Sequence, residues 1–182
     1  MSKIYLIRHA ESTANANRVV SGAKDDSPLS ELGRLQAKIA GENALNFKFD
    51  LIVSSPLLRA RETANIVAEV TGYPSDKILV MDSLHERDLG ALDGKSYVAE
   101  ELRDGNHDFI ESHTPGLEKL DALYARAEQA IQTLEHRPEQ RILVVCHNGV
   151  GRMLRVAASG QQPTSMYSQP RLSNAIIYAL AT

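Results

Sequence analysis

The chain has a single cysteine, no tryptophan, and no apolar run approaching the roughly 18 residues a membrane span needs. A lone Cys146 excludes an intramolecular disulfide and suits a reducing compartment. An excess of basic residues is missing too. Lys and Arg number 20 against 23 Asp and Glu, for a net charge of −3, and the isoelectric point near 6.1 argues against a nucleic-acid footprint. The first apolar stretch is too short for a signal h-region and runs straight into charge, so no secretory segment is expected. No internal repeat or low-complexity tract is present. These absences predict a soluble, cytoplasmic protein with no membrane or nucleic-acid partner; a monomer or homodimer is expected, though no residue pattern points to either.

At 182 residues, 43% of them hydrophobic, the length suits one domain over 1–182 with a sizeable core. Four β-branched apolar runs read as buried strands, Ile4–Ile7, Leu51–Val53, Ile142–Val145 and Ala175–Leu180, with Ile78–Met81 a weaker fifth. Helical spacing lies between them. Leu32, Leu35 and Ile39 mark one helix behind a Ser30 N-cap. Ala60, Ala64 and Val67 mark a second, with Pro56 at its first position. Leu120, Tyr124, Ala127, Ile131 and Leu134 mark a third, and a fourth over 148–159 follows strand Ile142–Val145 directly. Alternating strands and helices predict an α/β fold, a three-layer αβα sandwich with a mostly parallel central sheet and helices on both faces. The stretch at about 87–122 breaks this rhythm. It is polar and glycine-containing, with a short helix expected near 96–103, and reads as a lid-like excursion.

Reactive groups sit where strands give way to loops or helices. They are Arg8-His9, Arg59, Glu86 and His147: two fixed cations, two imidazoles and one carboxylate. Open α/β sheets place ligands at the carboxyl ends of their strands, where these groups fall. The inventory fits phosphoryl transfer, which proceeds mainly by positioning and charge stabilisation. Arg8 and Arg59 supply the positive charge that a metal supplies elsewhere, a neutral His9 can serve as nucleophile, and Glu86 can protonate the leaving alkoxide. Asn15 and the amides of the helix opened by Asn148 add neutral donors for the phosphoryl oxygens. His85, His107, His113 and His136 have neither metal-ligand spacing nor strand-end placement, and read as surface or capping residues. Arg61 reads as a solvated charge.

The segments Leu6-Ile-Arg-His-Ala-Glu11, Asp26-Ser-Pro-Leu-Ser-Glu-Leu-Gly33, Ser54-Ser-Pro-Leu-Leu-Arg-Ala-Arg-Glu-Thr-Ala64, Glu86-Arg-Asp-Leu-Gly90 and Val144-Val-Cys-His147 occur in that order. This set resembles the histidine phosphatase superfamily, the phosphoglycerate mutase-like group, along the chain from Ile4 to Leu180. The resemblance implies the phosphoglycerate mutase-like fold and a phosphohistidine intermediate on His9. It implies a phosphate pocket of Arg8, Arg59 and His147, with Glu86 as general acid and Asn15, Ser21 and Gly22 lining it. No metal or other cofactor is implied. One departure is that the family's glycine after the second catalytic histidine is replaced here by Asn148-Gly149. Another is the short span of 60 residues between Glu86 and His147. Residues 87–122 carry four Lys or Arg against nine Asp or Glu, which favours a phosphatase of a small phosphorylated substrate over a mutase handling several anionic groups.

Three other functions compete. Mutase-type phosphoryl transfer uses the same groups. Cys146 to Arg152 spells C-x5-R after a strand, similar to the phosphate loop of cysteine-dependent phosphatases. That assignment leaves Arg8, His9, Arg59 and Glu86 without roles, and the chain lacks the tryptophan of the expected acid loop. A non-enzymatic sensor of a phosphorylated ligand would be expected to lose the nucleophile or the acid, and both are retained.

Overall fold

A computed structural model describes residues 2–96 and 107–181. Five strands, β1 (Lys3–Arg8), β2 (Leu51–Ser54), β3 (Leu79–Val80), β4 (Arg141–Cys146) and β5 (Ile177–Ala179), form one sheet in the order β3-β2-β4-β1-β5. The first four run parallel, and β5 closes the β1 edge antiparallel. Central strands alternate faces, and both faces are buried. Ile4, Leu6, Ile142 and Val144 pack with helices α5 (Leu120–Glu135) and α6 (Asn148–Ala158), whereas Ile7, Ile52, Leu143 and Val145 pack with α2 (Glu31–Ala44) and α3 (Leu58–Thr71). This is the mixed α/β sandwich expected of the sequence.

Local chemistry sets the element ends. The Ser30 side chain accepts from the Gly33 amide and caps α2. Pro56 precedes α3 by two residues and does not occupy its first position; the Leu58 amide donates instead to Asp26 Oδ1 at 2.6 Å. The stripe Leu32, Leu35 and Ile39 marks a genuine helix but lies on its exposed face, each residue about half accessible. The buried face is Gly33, Ala37, Ala40, Gly41 and Ala44. Small residues are required there: a Cβ on Gly41 would stand 2.7 Å from the Val70 side chain on α3, and one on Gly33 would stand 2.0 Å from the Glu11 carbonyl.

The described residues of 87–122 lie outside the strands of the sheet. They contain a 3-10 turn at Gly90–Leu92 and helix α4 (His107–His113), and the excursion ends at Lys119, the N-cap of α5, sooner than the sequence suggested. The helix expected near 96–103 lies almost entirely outside the described residues. Among the described residues no helix is long and apolar enough to cross a membrane. Helix α1 (Thr13–Ala16) is a single turn, fixed by a capping box between Ser12 and Asn15.

Candidate active site

The site groups sit together because the parallel strands end together. Arg8 closes β1, and the His9 amide extends the ladder by donating to the Cys146 carbonyl at 2.9 Å. The Ser55 amide does the same to Val145 at 2.9 Å, placing Arg59 in the first turn of α3. Glu86 follows the short turn after β3, and His147 is the residue between β4 and α6.

His9 is 3% exposed and its ring centroid lies 5.1 Å from that of His147. Its Nδ1 is 2.7 Å from the Ala10 carbonyl. A carbonyl only accepts, so Nδ1 carries the hydrogen and Nε2 holds a lone pair. Burial, and then the charges of Arg59 and Arg8, hold the His9 pKa well below its usual value, so the imidazole is neutral. The Asn174 side-chain amide donates to the His9 carbonyl at 2.7 Å, and Thr63 Oγ1 accepts from the Ala10 amide at 3.0 Å, so the backbone at His9 and Ala10 is clamped on both sides.

His147 is completely buried and is likewise held neutral, by burial first and then by Arg59, His9 and Arg8. Its Nε2 lies 2.7 Å from Ser55 Oγ, which already accepts the Leu57 amide at 3.3 Å. A Ser55 hydroxyl that donates to Nε2 leaves the ring hydrogen on Nδ1, a buried atom with no hydrogen-bond partner among the described residues. Arg59, also fully buried, donates to the carbonyls of Gly22 and Asp25, and its Nε has no partner among the described residues. Two buried donors without acceptors among the described residues, from separate elements beside the His9 ring, mark a place for an oxyanion.

Glu86 is held by three backbone amides. Oε1 accepts from Arg87 at 2.8 Å and Val150 at 3.0 Å, and Oε2 accepts from Gly149 at 2.9 Å. Two of these amides belong to the first turn of α6, so the helix end that the sequence suggested for phosphate is shared with the acid.

A cavity of about 260 Å³ opens over these groups. Arg8, His9, Asn15, Ser21, Glu86 and Asn148 line it, and Arg59 and His147 lie buried behind its wall. Gly22 also stands behind the lining; its amide donates to Asp93 and its carbonyl accepts from Arg59. Asn148 Oδ1 accepts from the Leu172 amide at 3.1 Å, so part of its side chain braces the segment before β5. Asn15 spends its Oδ1 on the Ser12 amide at 3.3 Å.

Several residues of the site escape a sequence reading. Asp25 accepts from Ser21 and Ser27 and pairs with Arg59 at 3.5 Å. Burial works to raise its carboxyl, but those hydrogen bonds and the Arg59 charge hold it below the usual range. His107, read as a surface residue, lines the cavity with its ring stacked on Tyr167 at 3.7 Å. Arg87 binds Glu111 at 2.7 Å, the Tyr167 hydroxyl at 3.1 Å and the Glu118 carbonyl. Arg152 and Arg171 also reach the cavity. Long-range contacts of this kind carry no local signal. Thr63 is the exception, since it lies one helical turn after Arg59.

The cysteine alternative loses its geometry. Cys146 is fully buried in the core, and burial, with the Glu86 charge second, pushes its thiol up to about 12. Arg152 donates to the carbonyls of Gln169 and Tyr167, both at 3.0 Å, away from any loop around the thiol.

Comparisons with known proteins agree with this geometry. The family model described as histidine phosphatase superfamily (branch 1) matches residues 4–182. A Bacillus subtilis protein named "Uncharacterized phosphatase PhoE" is 32% identical over 178 residues, covering 97% of this chain and 86% of its own. A Salmonella choleraesuis relative named "Probable phosphoglycerate mutase GpmB" is 34% identical over 158 residues, covering 81% of this chain and 70% of its own. Among solved structures, a mycobacterial glucosyl-3-phosphoglycerate phosphatase complexed with VO3 superposes with a TM-score of 0.83 at 25% identity, covering 97% of this chain and 90% of that one. The α-ribazole phosphatase of Shigella flexneri gives 0.81 at 28% identity, covering 97% and 89%. The strand-end histidines, the buried arginines and the near full-length match give one conclusion: this chain belongs to the histidine phosphatase superfamily.

Proposed function

We propose that the protein is a metal-independent phosphomonoesterase that acts on a small phosphorylated metabolite through a phosphohistidine on His9. The observation that carries this reading is the buried His9 ring. It is neutral between two guanidinium groups, with Nδ1 tied to Ala10 and Nε2 left as the nucleophilic atom. In the first step Nε2 attacks phosphorus, the bond from phosphorus to the alcohol oxygen breaks, and protonated Glu86 gives its proton to that oxygen. Arg8, Arg59 and the Nδ1–H of His147 stabilise the charge on the equatorial oxygens. In the second step Glu86 takes a proton from water, the oxygen attacks phosphorus, the P–N bond breaks, and neutral His9 is restored. The small cavity, and relatives named for glucosyl-3-phosphoglycerate and α-ribazole substrates, support a metabolite-sized alcohol.

Replacing water by a substrate hydroxyl in the second step gives mutase chemistry, and the relative named as a mutase favours keeping that reaction in the test. The test is a screen of phosphomonoesters in EDTA, scored for free phosphate and for transfer between hydroxyls of 2- and 3-phosphoglycerate. Phosphate release without added metal supports the phosphatase reading. Strict dependence on added Mg²⁺ or Zn²⁺ overturns it, and transfer much faster than release replaces it with the mutase.

A further inference from the structure

The acidic balance of 87–122 suggested a site poor in cations away from the phosphate. The cavity has the opposite balance, because its outer cations come from elsewhere. Its lining includes Arg8, Arg87, Arg152 and Arg171, with Glu86 as its single carboxylate among the described residues. Arg8 flanks the nucleophile, and Arg87 is neutralised by Glu111. Arg152, from α6, and Arg171, from the segment before β5, remain. Among the described residues neither forms an ion pair. Arg152 is 9% exposed, held by two backbone carbonyls, and Arg171 is exposed. The two repel each other, since Arg171 follows burial among the causes that lower the Arg152 pKa. Both charges also act on His107, which reaches the same cavity from α4. Like charges gathered beside a cavity, neither of them in an ion pair among the described residues, favour an anionic ligand.

Part of the same lining is apolar. Leu89, Leu92, Ile110, Leu117 and Met166 form it, with the flat His107–Tyr167 stack beside them. Such a wall offers few partners to a heavily hydroxylated alcohol and good packing to a short hydrocarbon spacer.

We infer that Arg171, backed by Arg152, forms a second anion subsite that selects phosphomonoesters carrying a further anionic group, carboxylate or phosphate, across a short apolar spacer. The inference rests on the proposed use of the His9 pocket for the scissile phosphate. Arg171 is the specificity-determining member because it is exposed and, among the described residues, has no hydrogen bond to lose. Arg152 is tied into the fold and sets the local field.

Phosphonates test this without turnover. Dissociation constants of butylphosphonate, 4-phosphonobutyrate and butane-1,4-diphosphonate are measured by calorimetry on the wild type, Arg171→Ala and Arg171→Lys. A charge-assisted contact at this rim is worth roughly tenfold in affinity. The wild type is expected to bind at least one dianionic-ended compound about tenfold more tightly than butylphosphonate. Arg171→Ala should erase that gap and Arg171→Lys should restore part of it. Preference for 4-phosphonobutyrate identifies a carboxylate, and preference for the diphosphonate a second phosphate. Equal binding of all three, or an equal loss of all three in Arg171→Ala, overturns the subsite. Hydrolysis of p-nitrophenyl phosphate is followed in parallel. If the gap is present without hydrolysis, the phosphatase reading has failed and the subsite stands.

Discussion

A Cβ on Gly149 would stand 2.6 Å from Oε1 of Glu86. That glycine, two residues after His147, stands against the carboxylate proposed as the acid. Gly149 also donates its amide to Oε2. Oε1 is held by the Arg87 and Val150 amides, so Gly149→Ala, by pushing Glu86 out of place, leaves those amides unpaired and is expected to fold with a loss of about 1–3 kcal/mol in stability. General acid catalysis is worth roughly 10²–10⁴-fold, so turnover of alkyl phosphates should fall at least tenfold. A melting curve and a kinetic assay on the same preparation check both halves.

Removing the acid should discriminate between leaving groups. Glu86→Ala is expected to slow alkyl phosphates far more than aryl phosphates, whose leaving groups need little protonation. Glu86→Gln is a less clean probe, since its NH2 must face the backbone amides of Arg87 and Val150 or that of Gly149. Parallel kcat measurements on p-nitrophenyl phosphate and an alkyl phosphate decide. Equal losses would make Glu86 a positioning group only.

Stability should fall on acidification below about 6.5. His9 and His147 are buried neutral with pKa values well below 6.5, whereas in the unfolded chain both take up protons near 6.5. Below that value the unfolded state binds more protons than the folded one, so stability rises with pH up to about 6.5 and then levels off from this cause. His147→Asn removes one of the two groups, and its melting temperature should depend less steeply on pH between about 5 and 7. An unchanged slope would contradict the buried neutral assignment.

Cys146→Ala is expected to retain most activity, and the wild-type thiol should resist alkylation at pH 8 until the protein unfolds, because burial pushes it up to about 12. Thiol titration with and without denaturant, beside a phosphatase assay, checks this. Inactivation of the folded enzyme by a small alkylating agent, at one label per chain, would reinstate the thiol.

The sheet was legible because both its faces are buried, so Ile4–Ile7 and Ile142–Val145 are continuous apolar runs that end in chemistry. Arg8, His9, Arg59, Glu86 and His147 could be picked out because each stands shortly after a strand. The inward face of α2 was hidden for a physical reason. Close approach to α3 and to Glu11 demands Gly33 and Gly41, leaving Leu32, Leu35 and Ile39 as an apolar signal on the wrong side. The supporting contacts were hidden by sequence distance. Ser55 meets His147 across 92 residues, Glu86 meets Val150 across 64, and Tyr167 meets Glu111 across 56. Arg171 carries no local pattern, and only the return of the chain beside β1 brings it to the cavity.

Trapping the intermediate tests the central claim most directly. The wild type is mixed with a ³²P-labelled phosphomonoester in EDTA, quenched in base within a turnover, and digested to locate the label. The account predicts an acid-labile, base-stable phosphoramidate on His9, absent from His9→Ala, which should also lose turnover. Label on Cys146, or steady turnover in EDTA with no protein-bound phosphate at any quench time, would contradict it.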